Sequence, residues 1–275
     1  MLLNKNNFFI KAPQIMGICN ITIDSFSDGG KSFKISDAIK NINIMNKQGA
    51  TIIDIGAEST RPGSEPISYQ QEIRKLAPIL KKIPKDKFII SVDTNKIETQ
   101  EFALQQGAHI INDVFGGSED LFFLSKKYNN GLVLMHTPAP PKTMQSMTYI
   151  YTNVVEDIKK IFKIKTKLLK KYKISSNKVW FDPGIGFGKN VKQNLSLLKN
   201  IKKLKVEKYG LLLGSSRKSW ISSVDKSKAN ERLGGSLASV LYCLEQGVDI
   251  FRVHDVQETS QAIKIYKEIQ CSKSR

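Results

Sequence analysis

The sequence predicts an α/β protein folded as a single-domain (βα)8 TIM barrel, with its site at the C-terminal ends of the strands. Three observations carry this. Short apolar runs rich in β-branched residues alternate with longer segments of helical period, and eight such runs can be counted. The joints "QGATIID" at Gln48, "QGAHIIND" at Gln106 and "QGVDIFR" at Gln246 repeat one helix-to-strand turn. In each, a glycine just past the helix supplies a left-handed cap before the chain enters a buried strand.

Taken in order, the first run, "QIMGIC" from Gln14, stops at Asn20 and becomes a loop of Asp, Ser and Gly that carries one bulky apolar side chain, Phe26. A helix follows, because Ile35, Ala38, Ile39, Ile42 and Met45 fall on one face at helical spacing. The remaining strands are "TIIDIG", "FIISVD", "HIIND", "GLVLMH", "KVWFDPG", "GLLLG" and "DIFRVHD". No low-complexity segment or long linker breaks the series. One domain is therefore expected over residues 1–275, with the barrel over about 13–270 after a short N-terminal lead-in.

Bulk properties narrow the class. At 275 residues and 40% hydrophobic content the chain can bury one large core. No apolar stretch approaches the roughly 18 residues of a membrane helix, and the N-terminus lacks a signal peptide's apolar segment and cleavage site. A soluble, cytoplasmic protein without a membrane partner is expected. Cys19, Cys243 and Cys271 are odd in number and widely spaced, so they suggest neither a zinc site nor a disulfide framework. The formal charge of +18 raises the alternative of nucleic-acid binding, most visibly in "KKIFKIKTKLLKKYK" from Lys159 to Lys173. Ile161, Phe162, Ile164, Leu168 and Leu169 recur there near helical spacing, which fits an amphipathic helix with a lysine-rich outer face. No nucleic-acid partner is expected.

Polar groups collect where a barrel places its chemistry. Strands that begin apolar end in Asn20, Asp54, Asp93, Asn112 with Asp113, His136, Asp182, and Arg252 with His254. All strand ends of a parallel barrel share one face, so these groups meet around one pocket. The loop "GAESTRPGSEP" adds Thr60, the forked cation Arg61 and Pro62, a set suited to an anion. "FDPGIGFGKN" imitates a phosphate loop but has three residues where four are needed before its "GK", and Asn190 stands where Ser or Thr should be. It reads better as a strand-tip loop that fixes Asp182 and lets Phe187 lean over a flat ligand. "GSSRKSW" then places Ser216, Arg217, Lys218 and Ser219 at a helix start. Carboxylates accept hydrogen bonds only, so Asp93 and Asp182 with Asn112 match the donor-rich edge of a guanine-like heterocycle. Arginines, a histidine and an asparagine at the mouth match a diphosphate, especially with magnesium.

The segments "GICNITIDSFSDGG", "ESTRPG", "SVDTNK", "IND", "LMH", "PKTMQ", "DPGIGFGKN", "SRKS", "RLGGSLA" and "RVHD" together resemble the dihydropteroate synthase family, in its order and approximate spacing along nearly the whole chain. The resemblance implies a barrel enzyme, usually a homodimer, that joins hydroxymethyl-dihydropterin diphosphate to p-aminobenzoate in folate synthesis and releases diphosphate. It implies that Asp93, Asn112, Asp182 and Lys218 read the pterin, with Met135 as apolar wall and Arg252 stacked on the ring. Asn20 would ligate Mg2+, while Asn20, Arg61, Arg252 and His254 hold the diphosphate. Phe26, Thr60, Pro62, Phe187 and Ser219 would surround p-aminobenzoate, the pocket that sulfonamides imitate, with Phe26 on a loop that closes over it. Arg61, Lys218, Arg252 and His254 would carry the catalysis.

Three positions depart from the family's usual pattern: Ile23 replaces a proline, Pro138, Pro140 and Pro141 follow the fifth strand, and Ser215 replaces a larger apolar residue. The nearest rival is a pterin-dependent methyltransferase on the same barrel. It would share the pterin-reading residues but has no need of "STRPG" with "RVHD" as a diphosphate clamp. A catalytically dead scaffold would have lost site groups, and here the polar ones are kept.

Overall fold

The computed structural model describes residues 12–21, 35–58 and 64–272. Eight parallel strands close into a barrel in the order of the chain: β1 (Gln14–Asn20), β2 (Ile52–Gly56), β3 (Ile89–Asp93), β4 (Ile110–Asp113), β5 (Gly131–Met135), β6 (Val179–Asp182), β7 (Gly210–Leu213) and β8 (Ile250–Val253), with β8 pairing back onto β1. Around it run α1 (Ile35–Gln48), α2 (Tyr69–Lys82), α3 (Ile97–Gln105), α4 (Glu119–Tyr128), α5 (Val154–Lys171), α6 (Val191–Lys199), α7 (Ser219–Val224), α8 (Leu233–Glu245) and α9 (Val256–Cys271). Two helices, α7 and α8, separate β7 from β8.

Side chains alternate across a strand, and that period organises the interior. Met16, Ile52, Ile89, Ile110, Val133, Trp180, Leu212 and Ile250, one from each strand, form an apolar layer inside the barrel. Two residues further along, on the same side of the pleat, stand Ile18, Asp54, Ser91, Asn112, Met135, Asp182, Gly214 and Arg252. The interior thus changes from apolar to polar within one step of the pleat. The alternate positions, such as Ile53, Ile55, Ile90, Val92 and Phe181, face outward into a second core with Leu76 and Leu80 of α2 and Phe162 of α5. Phe162 stacks on Phe181 with ring centroids 4.6 Å apart. Burying each such side chain contributes about 1.5–3 kcal/mol.

The joints behave as the repeated "QG" pattern predicts. Gly49, Gly107 and Gly247 take φ of +114°, +86° and +80°, the left-handed region that a Cβ disfavours. Helix starts are capped locally: Ser68 with Gln71 and Asn190 with Gln193 form reciprocal capping boxes at α2 and α6. In α1, Ala38, Ile42 and Met45 are buried as their spacing predicts. In α5, Phe162 and Leu169 are buried, but Ile164 is 56% exposed. Two residues from Phe162 is over half a turn, so Ile164 joins the lysine face. The described cysteines are unpaired, with Cys19 and Cys243 buried and Cys271 exposed. Among the described residues no helix is long and apolar enough to cross a membrane.

Candidate active site

A narrow pocket opens at the C-terminal ends of the strands. Asp93, Asn112, Met135, Asp182, Phe187, Lys218 and Arg252 line it together, with Val114, Gly184, Ile185 and Gly214. Strand register explains their meeting: Asp93 pairs with Asn112 across β3 and β4, and Met135 with Asp182 across β5 and β6. A shallower hollow on the outer face of α1, lined by Lys40, Asn43 and Lys47 among others, contains no carboxylate and lacks such convergence.

Charge at the floor of the pocket is organised by Asp54. Oδ2 of this fully buried carboxylate accepts from Nε of Arg252 at 2.6 Å and from Nδ2 of Asn112 at 3.0 Å. Arg252 also donates through Nη2 to Asp93 Oδ2 at 2.7 Å. Burial opposes the Arg252 charge, but Asp54 and Asp93 outweigh it and hold the guanidinium's proton more tightly than usual. Desolvation pushes the Asp93 carboxyl up to about 7, against the pull of Arg252 and with the help of Asp54. Asp182 is likewise raised, mainly by burial, and its Oδ1 accepts from the Gly184 amide at 2.7 Å. Lys218 is pushed down to about 8 by desolvation, which Asp182 opposes, and its Nζ lies 4.0 Å from the centroid of the Phe187 ring. The result is an acceptor-rich, poorly hydrated floor beside one aromatic ring.

Other residues named from the sequence sit around this pocket without lining it. Asn20 ends β1 at the surface, and Gly56 separates it from Asp93: a Cβ on Gly56 would lie 3.7 Å from Asn20 Oδ1 and 3.4 Å from the Asp93 Cβ. His254 follows β8, with Nδ1 3.1 Å from Ser216 Oγ. Desolvation of its ring, then Arg252 and Arg217, push its imidazole down to about 4, so it is neutral at pH 7 although much of the residue is exposed. Ser219 is exposed at the start of the six-residue α7. Phe26, Thr60, Arg61 and Pro62 lie outside the described residues, as does Ile23.

Several strand-tip groups belong to the scaffold instead. Asp113 accepts from Gln100 Nε2 at 2.8 Å and from the Phe115 amide at 2.8 Å. His136 Nε2 lies 2.9 Å from the Tyr151 hydroxyl. Arg217 pairs with Asp255 rather than facing a ligand. Ser215 turns to Ser239 of α8, Oγ to Oγ 2.7 Å, away from the cavity. Pro138 packs on the loop after β6, where a Cβ at Gly188 would come within 2.3 Å of its Cγ.

Two residues gain meaning only here. Asp54 appears in the sequence as one strand tip among several, and its signal was the pleat period from Ile52, which turns it into the barrel. Lys189, the lysine of the false phosphate loop, is buried and donates to backbone carbonyls.

Among the described residues a metal would find few protein ligands: no group of three or more His, Cys, Asp or Glu there could hold one. Asn20 offers a surface carbonyl oxygen, which fits magnesium, an ion that keeps several waters and draws other ligands from phosphates.

Comparison with known proteins agrees with this pocket. The family model described as pterin binding enzyme matches residues 16–254. Dihydropteroate synthase of Escherichia coli (strain K12) is 41% identical over 92% of this chain and 90% of its own, and that of Clostridium beijerinckii 40% over 91% and 92%. Among solved structures, Yersinia pestis dihydropteroate synthase with a sulfonamide drug complex is 36% identical, with a TM-score of 0.90 over 99% of this chain and 100% of that one. Burkholderia cenocepacia dihydropteroate synthase complexed with 7,8-dihydropteroate is 31% identical, with a TM-score of 0.84 over 94% and 92%. The likeness runs through every strand that contributes to the pocket, and the chain belongs to the pterin-binding enzymes, within the dihydropteroate synthase family.

Proposed function

We propose that this chain condenses 6-hydroxymethyl-7,8-dihydropterin diphosphate with p-aminobenzoate, giving 7,8-dihydropteroate and diphosphate, and that the residues named above divide the work. The observation that carries this reading is the convergence of Asp93, Asn112, Met135, Asp182, Lys218 and Arg252 on one cavity. Asn112 commits Nδ2 to Asp54, which leaves its carbonyl oxygen for a ligand donor. Asp93 and Asp182 add acceptors for the pterin's amine and ring N–H groups. Burial makes each of these contacts count, because a donor left unpaired there costs about 1–3 kcal/mol.

The phosphate end lies at the mouth. Asn20, Arg61, Arg252 and His254 hold the diphosphate, His254 as a neutral donor. Arg61, Lys218, Arg252 and His254 stabilise the charge that grows as the methylene C–O bond breaks. The electron pair leaves with diphosphate, and the methylene cation is conjugated with the electron-rich pterin. Magnesium, with Asn20 among its ligands, supplies positive charge at the departing oxygens when bound. Phe26, Thr60, Pro62, Phe187 and Ser219 surround p-aminobenzoate, whose neutral amine attacks the cation and needs no strong base. Its displaced proton leaves to water or diphosphate. A homodimer working in the cytoplasm completes the reading.

The test is a product assay with purified protein, the dihydropterin diphosphate ester and labelled p-aminobenzoate, with magnesium or with chelator. Magnesium-dependent dihydropteroate is the expected result. No product with pterin binding intact would put the methyltransferase reading first. Failure to bind either substrate would direct attention to the +18 charge, with salt-dependent duplex binding as its measure.

A further inference from the structure

We propose that Lys189 is a positioning residue for this reaction: its buried ammonium gathers the carbonyls of His136, Gly184 and Phe187 and so fixes the Phe187 ring on the p-aminobenzoate side of the pocket. The inference rests on the functional reading above, in which Phe187 borders the incoming amine.

The geometry is that of an internal cation. Lys189 is 4% exposed, and its Nζ lies 2.8 Å from the Phe187 carbonyl, 3.0 Å from that of Gly184 and 3.4 Å from that of His136. An ammonium has three donors, and here three carbonyls from two segments surround it. One is at the end of β5, and two are in the loop after β6. That loop winds through left-handed φ at Gly184, Gly186 and Gly188, +66°, +83° and +58°, which turns its carbonyls inward. Asn194 and Gln145 hold Gly186, accepting from its amide at 2.7 Å and donating to its carbonyl at 2.9 Å. The Phe187 amide donates to Gly184 O at 3.1 Å, so both peptide groups of the aromatic residue are tied. Lys218 then faces the ring from the pocket side.

Desolvation pushes the Lys189 ammonium down to about 7, with Asp182 opposing and Lys218 reinforcing the shift. An amine buried against that cost and matched to three carbonyls points to a task. Phe187 is the one of the three tied residues whose side chain lines the cavity.

The experiment uses the full chain as wild type, Lys189→Met, Phe187→Ala and the double variant, with steady-state assays in each substrate and calorimetric titration of the pterin. Lys189→Met should raise KM for p-aminobenzoate about tenfold while kcat and pterin affinity change less than about threefold, the scale of a displaced positioning group. Adding Phe187→Ala to Lys189→Met should change that KM less than the same substitution does in wild type, since both act on one contact. An unaltered KM, equal losses in kcat and pterin affinity, or strictly additive effects would overturn the proposal. Should the Met variant not fold, Lys189→Arg keeps the charge but its planar fork cannot serve three carbonyls around one point. It should show the same rise, and a wild-type KM would count against the role. A wild type that makes no dihydropteroate overturns the functional reading itself; an active wild type with unresponsive variants overturns only this inference.

Discussion

Arg252 of β8 and Asp54 of β2, 198 residues apart in the chain, are joined at the pocket floor by a 2.6 Å hydrogen bond from Nε to Oδ2. The same carboxylate oxygen holds Asn112, and the same guanidinium reaches Asp93. Four side chains from β2, β3, β4 and β8 therefore form one hydrogen-bonded network across the barrel, centred on the Asp54–Arg252 ion pair.

Asp54→Ala should destabilise the fold by about 3–5 kcal/mol, because removing one partner leaves the Arg252 charge underpaired in a desolvated site. It should also weaken pterin binding, through loss of aim in Arg252 and Asn112. Urea denaturation and calorimetry check the two effects. A loss below about 1 kcal/mol would mean the pair contributes as an exposed one does.

Asp182→Ala should abolish measurable pterin binding, since the heterocycle's buried donors lose their acceptor. Arg252→Ala should weaken both pterin and diphosphate. Unchanged pterin affinity in the first variant, or a defect confined to p-aminobenzoate in the second, would contradict these assignments.

Stability should respond to pH through Asp93. Its folded carboxyl keeps a proton up to about 7, whereas the unfolded group loses it near the ordinary aspartate value of 3.8. Between those values the native state binds more protons, so the contribution of Asp93 to stability falls as pH rises. Asp93→Asn does not titrate. Measured by denaturation from pH 4.5 to 8.5, the variant should gain on wild type by about 1 kcal/mol or more, one pKa step being worth about 1.4. A pH-independent difference would sink the assignment.

Gly210→Ala should cost about 1–3 kcal/mol by overpacking. A Cβ there would come within 2.1 Å of Cδ1 in Trp180, the bulkiest member of the inner apolar layer. Thermal melting reads the effect. A wild-type Tm would mean that Trp180 has room to shift.

Much of this molecule follows from local rules. All eight strands were legible as short apolar runs because a parallel strand is buried on both faces and shows little alternation. The helix-to-strand joints were legible because only glycine reaches the required φ cheaply. That Asp93, Asn112, Met135, Asp182, Lys218 and Arg252 line one pocket was legible from strand tips and motifs, since a closed parallel barrel brings those tips to one end. Periodicity failed at Ile164, where an apolar residue sits on the solvated face and nothing local marks it.

The sequence by itself determined the barrel, the end of it that carries chemistry and the family to which it belongs. Only the tertiary structure decided which charged groups face one another. Arg217 turned to Asp255 while Arg252 turned to Asp54 and Asp93, and Lys189 left an apparent phosphate loop to bind carbonyls inside. Hydrogen bonds and ion pairs act over a few ångströms between residues far apart in the chain, so their partners are set by strand register and loop winding.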